Sequence, residues 1–378
     1  MTLEHSTLDS RLVHALQALQ FTELTPIQEK VYEPIKANRD LIARSHTGSG
    51  KTFAFLLPLF EKIDITKREN QVLILAPTHE LVVQIETQAK LLAEKSGIAV
   101  RSTTIIGGAN VDKQIKKLKE KPQLIVGTAG RVLELIKKKK IMAHTIKTIV
   151  LDEADNLLDN TSFTTIEDII KTTLRDRQLL TFSATLTDTT LQTATSLMTA
   201  PVLVTNSEQN VVNPNIEHGY LCVALREKFE TLRKLLNAEN PSRAIVFVNQ
   251  NFAMNDIADK LNYHQHETFI IRGNVSKEQR KQALDQFRSG KIKLLISSDL
   301  SARGLDISEV THIIHFDLPS QANEYLHRAG RTARGHNHGQ SICILTPKEL
   351  PTLKKYEKQL GIMFNELLVS KGELSKKS

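Results

Sequence analysis

A chain of 378 residues, 40% hydrophobic and 24% charged, has the composition of a globular protein and room for two cores at roughly 100 to 200 residues per domain. Its two cysteines, Cys222 and Cys343, stand far apart and support neither a disulfide framework nor a cysteine metal site. No apolar run approaches the ~20 residues of a membrane span and Met1–His5 has no signal-peptide pattern, so the expected compartment is the cytoplasm, with no membrane partner; the formal charge of +8 suits a polyanionic partner without bearing on fold.

In chain order, the first strong signal is a strand over Asp40-Leu41-Ile42-Ala43-Arg44, a glycine-rich turn over Ser45-His46-Thr47-Gly48-Ser49-Gly50-Lys51-Thr52, and an apolar helix start at Phe53-Ala54-Phe55-Leu56-Leu57. Gly48 and Gly50 permit backbone angles that aim several N–H groups at one anion, and the helix that follows adds its positive end. Lys51 is placed to reach β- and γ-phosphates and the Thr52 hydroxyl to ligate Mg²⁺. Gly-Ser-Gly alone is more often a flexible turn; the Lys-Thr pair and the flanking elements make it a nucleotide cradle, although Ser45 stands where a strict Walker A pattern has glycine.

Further strands are expected at Val72–Leu75, Leu124–Val126, Thr148–Leu151 and Leu179–Phe182. Leu81, Ile85, Ala89 and Leu92 repeat at helical spacing, a core stripe. Behind the Thr148–Leu151 run come Asp152-Glu153-Ala154-Asp155. A β-branched apolar run ending in acids reads as a buried parallel strand whose carboxyl end opens on a ligand crevice. There Asp152 can hold Mg²⁺, through water, and Glu153 can accept a proton from an attacking water. The bland alternative is four residues that solvate a helix start. Lys116-Lys117 and Lys137 to Lys140 read first as solvated helix faces, with phosphate-backbone contact as the alternative.

Polar Ser207-Glu208-Gln209-Asn210 and then Asn213-Pro214-Asn215 interrupt the alternation, which places a linker over 208–215. The strand-helix alternation then resumes, with strands at Tyr220–Val223, Ala244–Val248, Thr268–Ile271, Lys293–Ser297, Ile313–Phe316 and Ser341–Leu345. The expected fold is therefore α/β, two tandem domains, each a mostly parallel sheet flanked by helices, over 1–207 and 216–366, with a short, disordered basic tail over 367–378. The second domain has no phosphate loop but holds the densest basic cluster, His327-Arg328-Ala329-Gly330-Arg331-Thr332-Ala333-Arg334. On a helix, arginines three apart would share one broad face. The first domain has cradle, metal acids and base but no charge stabiliser for a γ-phosphate; arginines from the second domain can supply it. An exposed basic helix, or one touching RNA directly, is the alternative.

These motifs, in this order and over nearly the whole chain, resemble the DEAD-box RNA helicases, whose name-giving motif is the acidic tetrapeptide. The resemblance implies two RecA-like domains. Ser45–Thr52 resembles motif I, and Phe21–Gln28 resembles the Q motif, in which Gln28 reads adenine; Leu3 stands where the family commonly has a stacking aromatic. Ser183-Ala184-Thr185 resembles motif III, implied to couple the domains together with Asp155. Pro77-Thr78 with His79 in place of the usual arginine, Gly107-Gly108, and Thr128-Ala129-Gly130-Arg131 resemble the RNA-backbone motifs of the first domain. In the second, Ala244–Asn249 resembles motif IV, Arg272-Gly273-Asn274 an RNA-contact loop, and Ser298-Asp299 with Ala302–Asp306 motif V, while Lys277 replaces an expected glutamine and Arg280 is kept. By resemblance Asp306 binds the ATP ribose, Arg331 and Arg334 are arginine fingers, and His327 and Arg328 join an interdomain network.

The function implied is RNA-stimulated ATP hydrolysis with ATP and Mg²⁺, coupled to domain closure and local unwinding of short duplexes. RNA is the partner, through its backbone and with little sequence preference. Small bacterial members of the family imply a monomer acting in ribosome assembly, on ribosomal RNA or pre-ribosomal particles, or in RNA turnover. The rival readings are an ATP-gated RNA clamp with slow turnover and a DNA helicase or translocase on the same twin-domain core.

Overall fold

The computed structural model describes residues 3, 6–45, 49–159, 162–205, 213–249, 251–271, 277–298, 310–333 and 337–377. They divide into two compact units, Met1–Ser207 and Glu208–Ser378. In the first unit, α1 (Ser10–Ala18) and α2 (Pro26–Lys36) precede β1 (Leu41–Arg44), and α3 (Lys51–Lys62) leads into β2 (Val72–Leu75). Next are α4 (His79–Ser96), β3 (Ser102–Ile105), α5 (Val111–Leu118), β4 (Leu124–Gly127) and α6 (Ala129–Lys137). The unit finishes with β5 (Thr148–Asp152), α7 (Ala154–Leu157), α8 (Phe163–Lys171), β6 (Gln178–Ser183), α9 (Asp188–Ser196) and β7 (Val202–Thr205).

The strands form one seven-stranded parallel sheet in the order β3, β4, β2, β5, β6, β1, β7. Its central strands are apolar runs because helices cover both faces. Val72 and Ile74 face one core with Leu124, Val126 and Val150, while Leu73 and Leu75 face the other with Ile125, Ile149 and Leu151. The two edge strands, β3 and β7, escape the sequence reading. Ser102-Thr103-Thr104-Ile105 is mostly polar and buries only alternate residues, as an edge strand does, and Val202–Thr205 is largely exposed.

The second unit contains β8 (Ile216–Cys222), α10 (Lys228–Glu239), β9 (Ala244–Phe247), α11 (Asn251–Tyr263), β10 (Thr268–Ile271), α12 (Lys277–Arg288) and β11 (Leu294–Ser297). Then come β12 (His312–His315), α13 (Ala322–Ala329), β13 (Gly339–Leu345), α14 (Leu350–Leu360), β14 (Asn365–Ser370) and β15 (Glu373–Lys376). The sheet order is β10, β11, β9, β12, β13, β8, β14, β15, parallel except for the last pair. The disordered tail expected over 367–378 is corrected here. Leu367 to Lys376 pair as an antiparallel hairpin, closed by Lys371 and Gly372 with φ of 52° and 84°. Positive φ at both turn positions is what a tight two-residue hairpin needs, and glycine supplies one of them without strain. Leu367, Val369 and Leu374 then pack on the core of the unit, which a free tail could not do. Of the expected linker, 208–212 lie outside the described residues. No helix among the described residues is long and apolar enough to cross a membrane.

Buried between β12, α13 and β13 is a polar chain. His218 Nδ1 and the Tyr325 hydroxyl are 2.6 Å apart, that hydroxyl is 2.9 Å from Ser341 Oγ, and Ser341 Oγ is 3.0 Å from His315 Nε2. Burial pushes His218 down to about 4, and holds His315 well below its ordinary value with help from the Arg328 charge and from His218. Both rings are therefore neutral when folded but take up protons below about pH 6.5 once unfolded, so the fold is favoured above that pH and loses stability as pH falls from 6.5 towards 4. His218 alone should account for up to roughly 3 kcal/mol by pH 4. Amide protection factors, corrected for the intrinsic exchange rate at each pH, should fall at β8 and β13 over this window in the native chain, and more shallowly in His218→Asn.

Candidate functional site

Parallel register sets the carboxyl ends of six strands in one row. Ile105 pairs with Gly127, Gly127 with Leu75, Leu75 with Leu151, Leu151 with Thr181 and Arg44 with Ser183. Neighbouring strands are ~4.8 Å apart, so the loops that leave them stand side by side. From β3, β4 and β2 leave Gly107-Gly108, Thr128–Arg131 and Pro77-Thr78; from β5, β6 and β1 leave Asp152–Asp155, Ser183–Thr185 and Ser45–Thr52. Among the described residues of the first unit, one half of the row thus holds those read as phosphate chemistry and the other half those read as nucleic-acid backbone contact.

On the phosphate side Asp152 ends β5 with its side chain buried. Burial pushes its carboxyl up to about 7; the Lys51 ammonium draws it down, while Glu153 and Asp155 push it further up. Its Oδ1 accepts the Glu153 N–H at 3.0 Å. A buried carboxyl in this state gains from any cation brought beside it, which is the donor chemistry a divalent metal uses. Glu153 adopts the left-handed region at φ 52°, ψ 53°, a strain of roughly 1 to 2 kcal/mol for a residue with a Cβ. That turn starts α7 and leaves the Glu153 side chain partly exposed while Asp152 points into the protein.

A chain of hydrogen bonds ties these loops together. The Thr185 hydroxyl donates to Asp155 Oδ2 at 2.5 Å, and the Ser183 hydroxyl donates to the Thr185 carbonyl at 2.6 Å. The Ser45 N–H donates to the Ser183 carbonyl at 3.0 Å, and the Lys51 ammonium donates to the Ser45 carbonyl at 2.7 Å. The acidic motif, the Ser-Ala-Thr motif and the described ends of the cradle are therefore joined in one hydrogen-bonded chain. Thr47 and Gly48 lie outside the described residues. Ser49 is buried, and Gly50 caps α3 at φ 86°, so Lys51 and Thr52 open the helix. Gln28, 3% exposed, donates through Nε2 to the Gly50 carbonyl at 3.2 Å and accepts the Thr25 N–H through Oε1 at 2.9 Å. Its amide is thus also a brace for the cradle, a role the sequence did not suggest. Leu3 belongs to the core of the unit and is no stacking platform.

In the other half, Thr78 caps α4 by accepting the Leu81 N–H at 3.3 Å, beside Pro77. His79 lies next to the second loop, since a Cβ on Gly107 would stand 3.6 Å from its Nε2. Gly108 takes φ 66°. Thr128 precedes α6, Gly130 is exposed on its first turn, and Arg131 pairs with Glu134 at 2.9 Å while donating to the Ala109 carbonyl at 3.4 Å. The three loops are in contact and bring together hydroxyls, glycine backbone and one guanidinium.

In the second unit Ser298 follows β11, next to the carboxyl end of β10. Arg272, Gly273, Asn274, Asp299, Ala302–Asp306 and Arg334 lie outside the described residues. The expectation of one arginine face on a helix is corrected. The helix α13 stops at Ala329, with Gly330 as its cap, and the two described arginines diverge. Arg328, only 2% exposed, donates to the Asp317 carbonyl at 2.7 Å and to Asn249 Oδ1 at 2.8 Å, with its guanidinium 4.9 Å from the Phe247 ring centroid. Arg331 sits beyond the helix and donates to the His327 carbonyl at 3.2 Å, with His327 half-buried on the last turn. Asp317 also accepts the Asn249 N–H at 2.9 Å and lies 3.6 Å from the buried Lys228 ammonium. Asn249, Asp317 and Phe247 therefore fix Arg328, and no sequence signal marked Asp317 because it is remote in the chain from its partners.

Comparison with known proteins gives a consistent result. The family model described as DEAD/DEAH box helicase matches residues 25–194, and the helicase conserved C-terminal domain matches residues 227–336. The chain is 38% identical over 363 residues to the DEAD-box ATP-dependent RNA helicase CshC of Bacillus cereus, covering 96% of this chain and 92% of that one. It is 40% identical over 358 residues to the probable ATP-dependent RNA helicase YfmL of Bacillus subtilis, covering 94% of each. Among solved structures it resembles S. cerevisiae Dbp5 bound to RNA and ADP BeF3, with TM-score 0.87, 29% identity and 97% and 95% of the two chains covered. A second is Mss116p bound to ssRNA and AMP-PNP, with TM-score 0.87, 26% identity and 98% and 80% covered.

The Gly50 geometry makes a direct prediction. A Cβ there would meet Gln28 Nε2 at 2.6 Å on a backbone of φ 86°. Gly50→Ala should therefore open the cradle and weaken ATP binding about tenfold or more, for a strain of roughly 1 to 2 kcal/mol plus a displaced brace. Nucleotide titration by fluorescence or calorimetry reads this, with hydrogen exchange in the second unit unchanged.

Proposed function

The chain belongs to the DEAD-box family of ATP-dependent RNA helicases, and from that premise we propose how its residues divide the work of hydrolysing ATP on RNA. It is an ATP-hydrolysing enzyme built of two RecA-like units. The observation that carries the assignment is the row of strand ends in the first unit, which sets the cradle and the acidic motif next to the backbone-contact loops.

ATP occupies the cradle of Thr47, Gly48, Ser49, Gly50, Lys51 and Thr52, with Lys51 on its phosphates, Gln28 reading the adenine and Asp306 on the ribose. Thr52 and Asp152 would hold Mg²⁺, and the buried, raised carboxyl of Asp152 fits that task. When bound, the ion would neutralise phosphate charge and orient the triphosphate. Glu153, with its side chain swung clear by its left-handed backbone, takes the proton of the attacking water as the water's oxygen bonds to the γ-phosphorus and the bond to the β–γ bridging oxygen breaks, releasing ADP and phosphate. Arg331 and Arg334 neutralise the charge that develops on the transferred group. Neither unit contains both Glu153 and these arginines, so turnover requires the two together. The bond from Thr185 to Asp155 transmits the nucleotide state to the Ser183 loop, and His327 and the anchored Arg328 hold the arginine loop in position.

RNA is held through its backbone by Pro77, Thr78, Gly107, Gly108, Thr128, Gly130 and Arg131 in the first unit. Arg272, Gly273, Asn274, Ser298 and Asp299 do so in the second. Contacts of this kind carry little sequence preference and weaken steeply with salt. Structured RNA such as ribosomal RNA in pre-ribosomal particles, acted on by a cytoplasmic monomer, is the setting we infer from the family resemblance and the charge of +8.

The test is ATP hydrolysis with and without structured RNA at two salt concentrations. The native chain should be stimulated by RNA more than by DNA, and less at high salt. Glu153→Gln should lower turnover by about 10² or more while keeping ATP-dependent RNA retention, and Arg331→Ala should lower it by about 10³. ATP-dependent RNA retention without turnover in the native chain would make it a clamp, and equal stimulation by DNA would favour a translocase.

A further inference from the structure

Residues 111 to 140 hold nine lysines and one arginine against three acids, whereas the whole chain has a formal charge of +8. The basic balance of the protein is therefore concentrated in α5, α6 and the turns that end them. Both helices pack on one core, through Ile115 and Leu118 of α5 and Val132, Leu133 and Ile136 of α6. Each returns from the carboxyl end of one parallel strand to the amino end of another, α5 from β3 to β4 and α6 from β4 to β5. Their last turns therefore stand together at the amino edge of the first sheet, roughly 13 Å, the length of a four-residue strand, from the row of loops at the carboxyl ends.

Lys113, Lys116, Lys117, Lys119, Lys121 and Lys137 to Lys140 are all exposed, and every residue from 49 to 159 is described. Among the described residues, only Lys138 of these nine has an acid partner, Glu134 at 2.7 Å, which it shares with Arg131. Asp112 sits on the first turn of α5, at the far end of that helix, and Glu120 is the one acid within the turn that follows it. Helix ends attract lysine through the macrodipole, but that effect fades within the last turn, and Lys119, Lys121, Lys139 and Lys140 lie beyond α5 and α6. Lys121 and Lys139 moreover take left-handed backbone, at φ of 52° and 53°. The Lys139 N–H donates to the Ile136 carbonyl and the Lys140 N–H to the Leu135 carbonyl, each at 2.8 Å, a helix ending in which glycine is the usual residue. Charge is thus kept at two positions where the backbone favours glycine.

We infer that this cluster holds a further stretch of the phosphate backbone of the RNA substrate, beyond the stretch held at the strand ends. Ammonium groups on flexible stems suit phosphates as point charges with no fixed geometry. No aromatic residue occurs between 111 and 140, so bases are not stacked and the contact carries no sequence preference. Membership of an RNA helicase family favours RNA over an acidic protein or an anionic membrane as the occupant. The cluster shares no residue with the nucleotide cradle, so it tethers RNA whether or not ATP is bound. The inference rests on RNA being the substrate and not on the roles proposed for the strand-end loops.

Binding of oligouridylates of rising length, without nucleotide, is measured by fluorescence anisotropy in the native chain and in Lys117→Gln/Lys119→Gln/Lys137→Gln/Lys140→Gln. The variant should bind the longer oligomers at least tenfold more weakly at low salt, with a salt slope shallower by about 3, the value for four lost phosphate contacts on a single strand. Turnover at saturating RNA should stay unchanged, with a higher KM for long RNA and the same KM for the shortest oligomer that stimulates. Lys121→Gly/Lys139→Gly should also bind long RNA more weakly while its unfolding midpoint rises, so that lost binding is not lost fold. Equal affinity and equal salt slope in the native chain and the fourfold variant overturn the inference, as does unaltered RNA binding with lost retention on anionic phospholipid vesicles. A native chain whose turnover RNA does not stimulate, but whose RNA binding still falls in the fourfold variant, would count against the strand-end loops and leave the lysine cluster standing.

Discussion

Everything in the first unit depends on the register of a parallel sheet buried on both faces. Residues 72 to 75 send alternate side chains to two cores, as do 124 to 126 and 149 to 151. A slip of one residue would exchange the cores and shift a whole strand end along the row. Because both faces are closed, charged groups on these strands are kept to the strand ends, and an inner polar group such as the Thr181 hydroxyl is kept only with a partner, the Leu41 carbonyl. The same constraint that makes the centre apolar therefore concentrates Asp152, Ser183 and the Ser45 turn at one edge, within reach of one another.

Concentrating charge and strain there has a cost that the neighbouring elements offset. Asp152 gives up solvent, and Glu153 and Gly50 both take left-handed backbone within the same site. Strained residues persist only where their surroundings over-determine them. Here the restraint is a run of short hydrogen bonds from Gln28 through Gly50 on one side and from Ser45 through Ser183 and Thr185 to Asp155 on the other. Each bond is modest on its own, near 1 kcal/mol, and their common effect is to hold loops from three strands in a single arrangement.

What could be read from the sequence follows from the same physics. Strands buried on both faces, such as Val72–Leu75 and Thr148–Leu151, announce themselves as continuous apolar runs. Edge strands do not, because half of each faces water: Ser102–Ile105 passes for a loop, and the hairpin at Leu367–Lys376 passes for a basic tail. The Asp152–Asp155 and Ser45–Thr52 motifs were legible because their chemistry is local. The brace by Gln28 and the clamp on Arg328 were not, since Gln28 bonds 22 residues away and Arg328 bonds 79 residues away. No local pattern encodes such pairings.

The two described arginines show how one spacing yields opposite fates. Arg328 is still on α13, and its planar fork serves the Asp317 carbonyl and Asn249 together while stacking on Phe247. A buried cation is tolerated only when its donors are satisfied in this way, and an ammonium could not reproduce the fork or the stacking. Gly330 then ends the helix and turns the chain, so that Arg331 lies beyond it, still buried and donating to the His327 carbonyl. The first arginine anchors the last helical turn, and that anchoring limits how far the second can wander. Burial of Arg328 is thus a condition for the proposed work of Arg331, and a loop carrying Arg331 alone would lose the entropy of ordering at every turnover.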